Sequence, residues 1–176
     1  MIKSITNFLF KVSLVVVLFI TGIQCVNAQS VLVQDIDTAA LGSSYPSHLT
    51  ALGSDLYFTA NDVNNGKELW KYNPTLDTAV MVQNIHSSGS SYPNDLTALG
   101  PNLYFSADNL TNGRELWKYD PVQDTAILIK DILSGLTGSS PSFLAVLGSN
   151  LYFRANDGTN GLELWEYNPT LDTTVM

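Results

Sequence analysis

The sequence predicts an all-β chain organised as three tandem four-stranded antiparallel sheets. One stretch occurs three times: LYFTANDVNNGKELWKYNP from Leu56 to Pro74, LYFSADNLTNGRELWKYDP from Leu103 to Pro121, and LYFRANDGTNGLELWEYNP from Leu151 to Pro169. The spacing inside each copy is fixed, since Phe58 to Trp70, Phe105 to Trp117 and Phe153 to Trp165 are each 12 residues apart. Length varies only between copies: Ile36 to Pro46 is 10 residues, Ile85 to Pro93 is 8 and Ile132 to Pro141 is 9. Surface connections tolerate such changes and packed elements do not. The variable segments are therefore the linkers between units.

The second copy shows how each unit is built. Asp95 to Leu99 reads as a first strand, Gly100-Pro101-Asn102 as a tight turn, and Leu103 to Ala107 as a second strand. The loop Asp108 to Gly113 ends in Asn-Gly, a pair that accepts positive φ and favours chain reversal. Arg114 to Tyr119 is the third strand. Asp120 to Asp124 turns again, with Pro121 fixing φ, and Thr125 to Ile132 is the fourth. β-Branched and aromatic residues fill the strands, and turn residues punctuate them about every 8–12 positions.

Alternation along ELWKY sends Leu116 and Lys118 to one face and Glu115, Trp117 and Tyr119 to the other. In LYF, Leu103 and Phe105 share a face opposite Tyr104. A small sheet with large apolar side chains on both faces must cover both, because each buried aromatic or Leu contributes about 1.5–3 kcal/mol. Neighbouring copies are the available cover. Four strands in about 45 residues, repeated with a Trp, are the mark of a propeller blade. The expected architecture is thus a β-propeller-like array of three blades, over approximately 46–85, 93–132 and 141–176. Val31 to Ile36 (VLVQDI) matches Val80 to Ile85 (VMVQNI), and 31–36 is read as an additional outer strand. Propellers have about four to eight blades, so three copies imply a fragment of a longer array, an open stack, or an oligomer that completes the ring by self-association through exposed end blades.

Residues 1–28 read as a secretory signal peptide, leaving 29–176 as the repeat domain. Lys3 and Lys11 give a basic start, Val12 to Ile23 is apolar apart from Ser13, Thr21 and Gly22, and Val26-Asn27-Ala28 supplies small residues before a cut at Gln29. The run is shorter than the roughly 20 residues that span a bilayer, so an uncleaved anchor is the weaker reading, and membrane contact is transient. Gln24 disfavours lipid modification of Cys25. The expected location is secreted or cell-surface.

Composition limits the chemistry. The chain has 8 Lys+Arg against 16 Asp+Glu, a formal net charge of −8. Nucleic acid requires a basic footprint and is excluded as a partner. Cys25 is the single cysteine and lies in the leader, so the repeats hold no disulfide and no Cys nucleophile. His48 and His86 occupy non-equivalent positions, which leaves no zinc-type cluster. Gly42-Ser43-Ser44-Tyr45-Pro46, Gly89-Ser90-Ser91-Tyr92-Pro93 and Gly138-Ser139-Ser140-Pro141 are serine-bearing loops read as turns, none having the G-x-S-x-G form. Loops with Asp62, Asp108 and Asp157 offer oxygen ligands of the kind Ca²⁺ takes, but without EF-hand spacing, and Asx turns account for them. No cofactor is expected.

The recurring Glu68-Leu69-Trp70, Glu115-Leu116-Trp117 and Glu163-Leu164-Trp165, each preceded by Gly66, Gly113 or Gly161, resemble the bacterial ELWxxDGT repeat family of secreted and surface proteins. The blade pattern is also similar to Kelch repeats. The family's DGT is replaced here by Asn73-Pro74-Thr75, Asp120-Pro121-Val122 and Asn168-Pro169-Thr170. The resemblance implies a non-catalytic surface or scaffold role with no defined active site. Together these readings point to an exported, non-enzymatic repeat module that binds a protein or glycan. The alternatives are a structural spacer within a larger exported protein, and a propeller hydrolase or lyase marked by a carboxylate pair beside Arg154 or His48.

Overall fold

Twelve strands and no helix make up the computed structural model, which describes residues 31–39 and 42–176. The expected signal peptide, 1–28, lies outside the described residues. No helix among the described residues is long and apolar enough to cross a membrane.

The strands form three separate four-stranded antiparallel sheets. The first is β1 (Ser47–Leu52), β2 (Asp55–Asp62), β3 (Gly66–Asn73) and β4 (Thr78–Gln83). The second is β5 (Asn94–Leu99), β6 (Asn102–Asp108), β7 (Arg114–Asp120) and β8 (Thr125–Lys130). The third is β9 (Ser142–Leu147), β10 (Asn150–Asn156), β11 (Leu162–Asn168) and β12 (Thr173–Val175). Within each sheet the strands pair in chain order as a meander, and in each the Phe and Trp of the repeat face one another: Phe58 with Trp70, Phe105 with Trp117, Phe153 with Trp165. The sheets do not close on themselves, and the molecule is an open propeller-like array.

Inner strands β1, β5 and β9 run beside one another, which places β4, β8 and β12 on the outside. Each inner strand carries a register shift at the same point, between Ser47 and Thr50, Asn94 and Thr97, and across the pair of Tyr152 and Arg154 with β9. His48, Asp95 and Phe143 at these shifts adopt φ of 54°, 54° and 57°. Bulges of this kind bend a strand and sharpen its twist, which is what a tight inner edge requires.

The core lies between sheets, as the alternation along ELWKY and LYF demands. One face of the second sheet (Leu103, Phe105, Trp117, Tyr119) packs on Tyr57 and Leu69 of the first. Its other face (Tyr104, Leu116) packs on Leu151, Phe153, Trp165 and Tyr167 of the third. Phe58, Trp70 and Ala79 on the outer face of the first sheet are covered partly by Ile36. Gln34 donates to Ala79 O at 3.1 Å and accepts from Ala79 N at 2.6 Å. Gln83 of β4 likewise accepts from Ala126 N of the second sheet. The segment around Gln34 and Ile36 therefore lies on the first sheet as β4 lies on the second, although it belongs to no sheet itself.

Candidate functional site

The most elaborate polar constellation joins successive sheets. Glu68 and Glu115 sit on the third strand of their sheets, flanked by Leu and Trp, and both are fully buried. Glu68 accepts hydrogen bonds from Ser91 N (2.8 Å), Ser91 Oγ (2.5 Å) and Ile85 N (3.2 Å). Glu115 accepts from Ser139 N (2.7 Å), Ser139 Oγ (2.5 Å) and Leu133 N (3.1 Å). Each carboxylate thus fastens the linker leading into the next sheet. Burial raises the pKa of both glutamates above the ordinary carboxylate value, and the serine and backbone donors work against that rise. A buried carboxylate persists only where such donors replace water.

Reading these serines as turn formers was incomplete: Ser91 and Ser139 are fully buried partners of a carboxylate. Backbone bonds complete the lock. Tyr92 N donates to Lys67 O at 3.1 Å and Ser140 N to Arg114 O at 3.0 Å. The linker passes so close that a Cβ on Gly66 would sit 2.5 Å from Ser90 Oγ, and one on Gly113 would sit 2.5 Å from Leu136 O. Both glycines also hold positive φ, 74° and 64°. Gly161, at φ 84°, has nothing within 4 Å of that position, and Glu163 of the third sheet is exposed.

A second recurring pair sits at the turn before each outer strand. Tyr72, Tyr119 and Tyr167 donate to Asp77, Asp124 and Asp172. Tyr119 also lies 5.4 Å from the Tyr57 ring, and Lys71 donates to both Tyr119 OH and Asp124. Burial, then the Asp124 bond, raises the Tyr119 pKa, while the Tyr119 hydroxyl and the Lys71 charge lower that of Asp124. Sequence reading missed this pair; its signal is the constant five-residue spacing from Tyr to Asp.

The tryptophans are nearly buried. Trp117 and Trp165 donate through Nε1 to Ala107 O and Ala155 O, both at 3.1 Å. The acidic loops are occupied by their own amides. Asp62 accepts from Asn64 N and Asn65 N, and Asp157 from Thr159 N and Asn160 N. Asp108 is not their equivalent: Asn109 holds that place, accepting from Thr111 N and Asn112 N, while Asp108 accepts from Leu110 N. The structure does not bring Asp62, Asp108 and Asp157 together, and no group of three potential metal ligands occurs among the described residues. Arg154 donates to Ser142 Oγ at 3.1 Å and lies over the Phe143 ring at 4.7 Å.

One shallow cleft of about 380 Å³ opens between the first two sheets. The β1–β2 turn from Leu52 to Asp55, Tyr57, Gly100 with Pro101, and Pro121 with Val122 form its walls. Its walls are mostly apolar, and its one carboxylate, Asp55, accepts from Asn73 Nδ2 at 3.0 Å.

A solved puromycin hydrolase mutant, complexed with PGG, shares the fold. The likeness has a TM-score of 0.56 at 10% sequence identity, over 74% of this chain and 20% of that chain. This chain therefore spans one-fifth of the hydrolase. At that identity the likeness establishes architecture alone. No family model matches the chain, and no curated protein does.

Proposed function

We propose that the chain is a secreted or cell-surface, non-catalytic repeat module that binds a protein or glycan, in keeping with its resemblance to ELWxxDGT repeats. The observation that carries the reading is where the repeat spends its chemistry. Glu68, Glu115, Ser91 and Ser139, the polar residues that recur with the repeat signature, are buried in contacts between sheets. At the opposite end of the strands a cleft lined by turns faces solvent, with Val122 89% exposed. Binding sites on rigid scaffolds are commonly built from such connecting segments.

A glycan array probed with the purified chain, followed by titration of any hit against Val122→Glu and Asp55→Ala, tests this. Binding that weakens in either variant supports the module. Silence on the array together with hydrolysis of a peptide or ester substrate would replace it with the hydrolase reading.

A further inference from the structure

Taking the chain as a binding module, as proposed above, we infer that the cleft between the first two sheets receives an aliphatic or proline side chain of a partner protein. A lysine or arginine of the same segment is held at the rim. The ligand is thereby narrowed to a cationic, apolar stretch of polypeptide.

The three copies can be compared turn by turn, and at four positions the residues around this cleft break with the other copies. Pro101 stands where the first and third copies have Ser54 and Ser149, and Val122 stands where they have Thr75 and Thr170. Asp55 stands where the second and third copies have Asn102 and Asn150, and Asp120 stands where the others have Asn73 and Asn168. Pro101, Val122 and Asp55 line the cleft, and Asp120 directly precedes its wall residue Pro121. Two of these departures add apolar surface and two add negative charge, all at one junction.

The fold itself does not require them. Gly53, Gly100 and Gly148 hold φ of 61°, 59° and 63°, so the turn is the same whether Ser or Pro follows. Asp120 Oδ1 accepts from Val122 N and Gln123 N, as Asn73 Oδ1 accepts from Thr75 N and Leu76 N, and Asn168 Oδ1 from Thr170 N and Leu171 N. A neutral amide oxygen closes the equivalent turn twice, so the charge of Asp120 is surplus to the turn. Exchange of Thr-Leu for Val-Gln also moves the exposed apolar side chain by one position, from the place of Leu76 and Leu171 to that of Val122.

The chemistry of the occupant follows from the walls. Leu52, Pro101, Pro121 and Val122 give an aliphatic side chain apolar contact within about 380 Å³. Tyr57, the one aromatic residue in the walls, is 1% exposed and presents no ring face on which a sugar could stack. Among the described residues the one ion pair is Lys71 with Asp124, so Asp55 and Asp120 have no cation beside them. Complementary charge at the edge of an interface steers association and selects the partner. The occupant therefore carries positive charge next to its apolar side chain.

Panning a phage library of random peptides on the purified chain, then titrating the enriched peptides by fluorescence anisotropy, tests this. The enriched peptides should share an aliphatic residue or proline beside Lys or Arg, and their affinity for the wild-type chain should fall as salt rises. The variants restore residues that already fit these turns in the other copies. Pro101→Ser with Val122→Thr should weaken binding about tenfold. Asp55→Asn with Asp120→Asn should weaken it about fivefold at low salt, a difference that disappears at about 0.5 M salt. Both should keep the wild-type circular dichroism spectrum and Tm. Enriched peptides without that pattern, salt-independent binding to wild type, or binding that either double variant leaves intact overturns the inference. Glycan binding that Val122→Glu weakens, with no peptide enriched, overturns it while leaving the binding module in place. Silence from both the library and the glycan array overturns both.

Discussion

Replacing Glu115 by Ala removes the acceptor of three hydrogen bonds at once. Leu133 N, Ser139 N and Ser139 Oγ are left without it, and Ser139 is fully buried. Hydrogen bonds to a charged group contribute about 1.5–3 kcal/mol each, but not additively. Against them stands the cost of holding the carboxylate away from water, visible in its raised pKa. Removing one member of a buried charged network typically costs about 3–5 kcal/mol, and the lower end, about 3 kcal/mol, fits a carboxylate already penalised by burial. For a domain of this size each 1 kcal/mol lowers Tm by about 2–4 °C, giving a drop of about 6–12 °C. Urea denaturation and calorimetry should agree on that value. Glu163→Ala should stay within about 0.5 kcal/mol of wild type, as exposed positions do. A Glu115→Ala chain as stable as the Glu163→Ala chain would refute the argument that the carboxylate clamps the sheets.

Further outcomes follow from the same contacts. Gly113→Ala should destabilise the fold by about 2 kcal/mol or more, since positive φ and a backbone clash act together; Gly161→Ala, with open space around it, should cost about 1 kcal/mol for φ alone, and equal losses would show that no linker presses on Gly113. Trp117→Ala should cost about 3–5 kcal/mol by leaving a cavity between the first two sheets, read from the urea midpoint. The raised pKa values of Glu68 and Glu115 mean that the folded chain keeps these protons to higher pH than the unfolded one. Stability should therefore rise as pH falls from neutral toward the ordinary value of 4.5, and Glu68→Gln/Glu115→Gln should lose that gain. Below the ordinary Asp value of 3.8 the trend reverses, because Asp62, Asp124 and Asp157 have lowered pKa values. Chelator should leave Tm unchanged if the Asp62 and Asp157 carboxylates serve only their own loops, and a fall would show a bound cation.

The strands were legible because their signals are local. Period-two alternation, Asn-Gly and Pro turns, and the constant Phe-to-Trp spacing placed every element to within a few residues. Val31 to Ile36, read as an additional outer strand, forms no strand in the structure; it lies along the first sheet through Gln34 on Ala79. The glutamate lock was not legible, because Glu68 and Ser91 are 23 residues apart and Glu115 and Ser139 are 24. No local period links such positions. The sign that something was buried there is a charged residue beside Leu and Trp in a strand, paired with a serine at nearly constant distance. The positive-φ bulge residues His48, Asp95 and Phe143 escaped for another reason: their backbone is set by tertiary bending, which propensity does not encode.

The placement of the clamp residues also governs how such an array can grow. A segment cut from one linker proline to the next, such as 46–92, carries Glu68 and, near its end, its own partner Ser91, so an inserted copy would bring a complete clamp. Duplication or loss of whole segments then leaves no stranded interior charge, whereas a cut between β3 and β4 separates Glu68 from the Ser91 hydroxyl. Length can change in steps of one unit while every internal junction stays chemically complete.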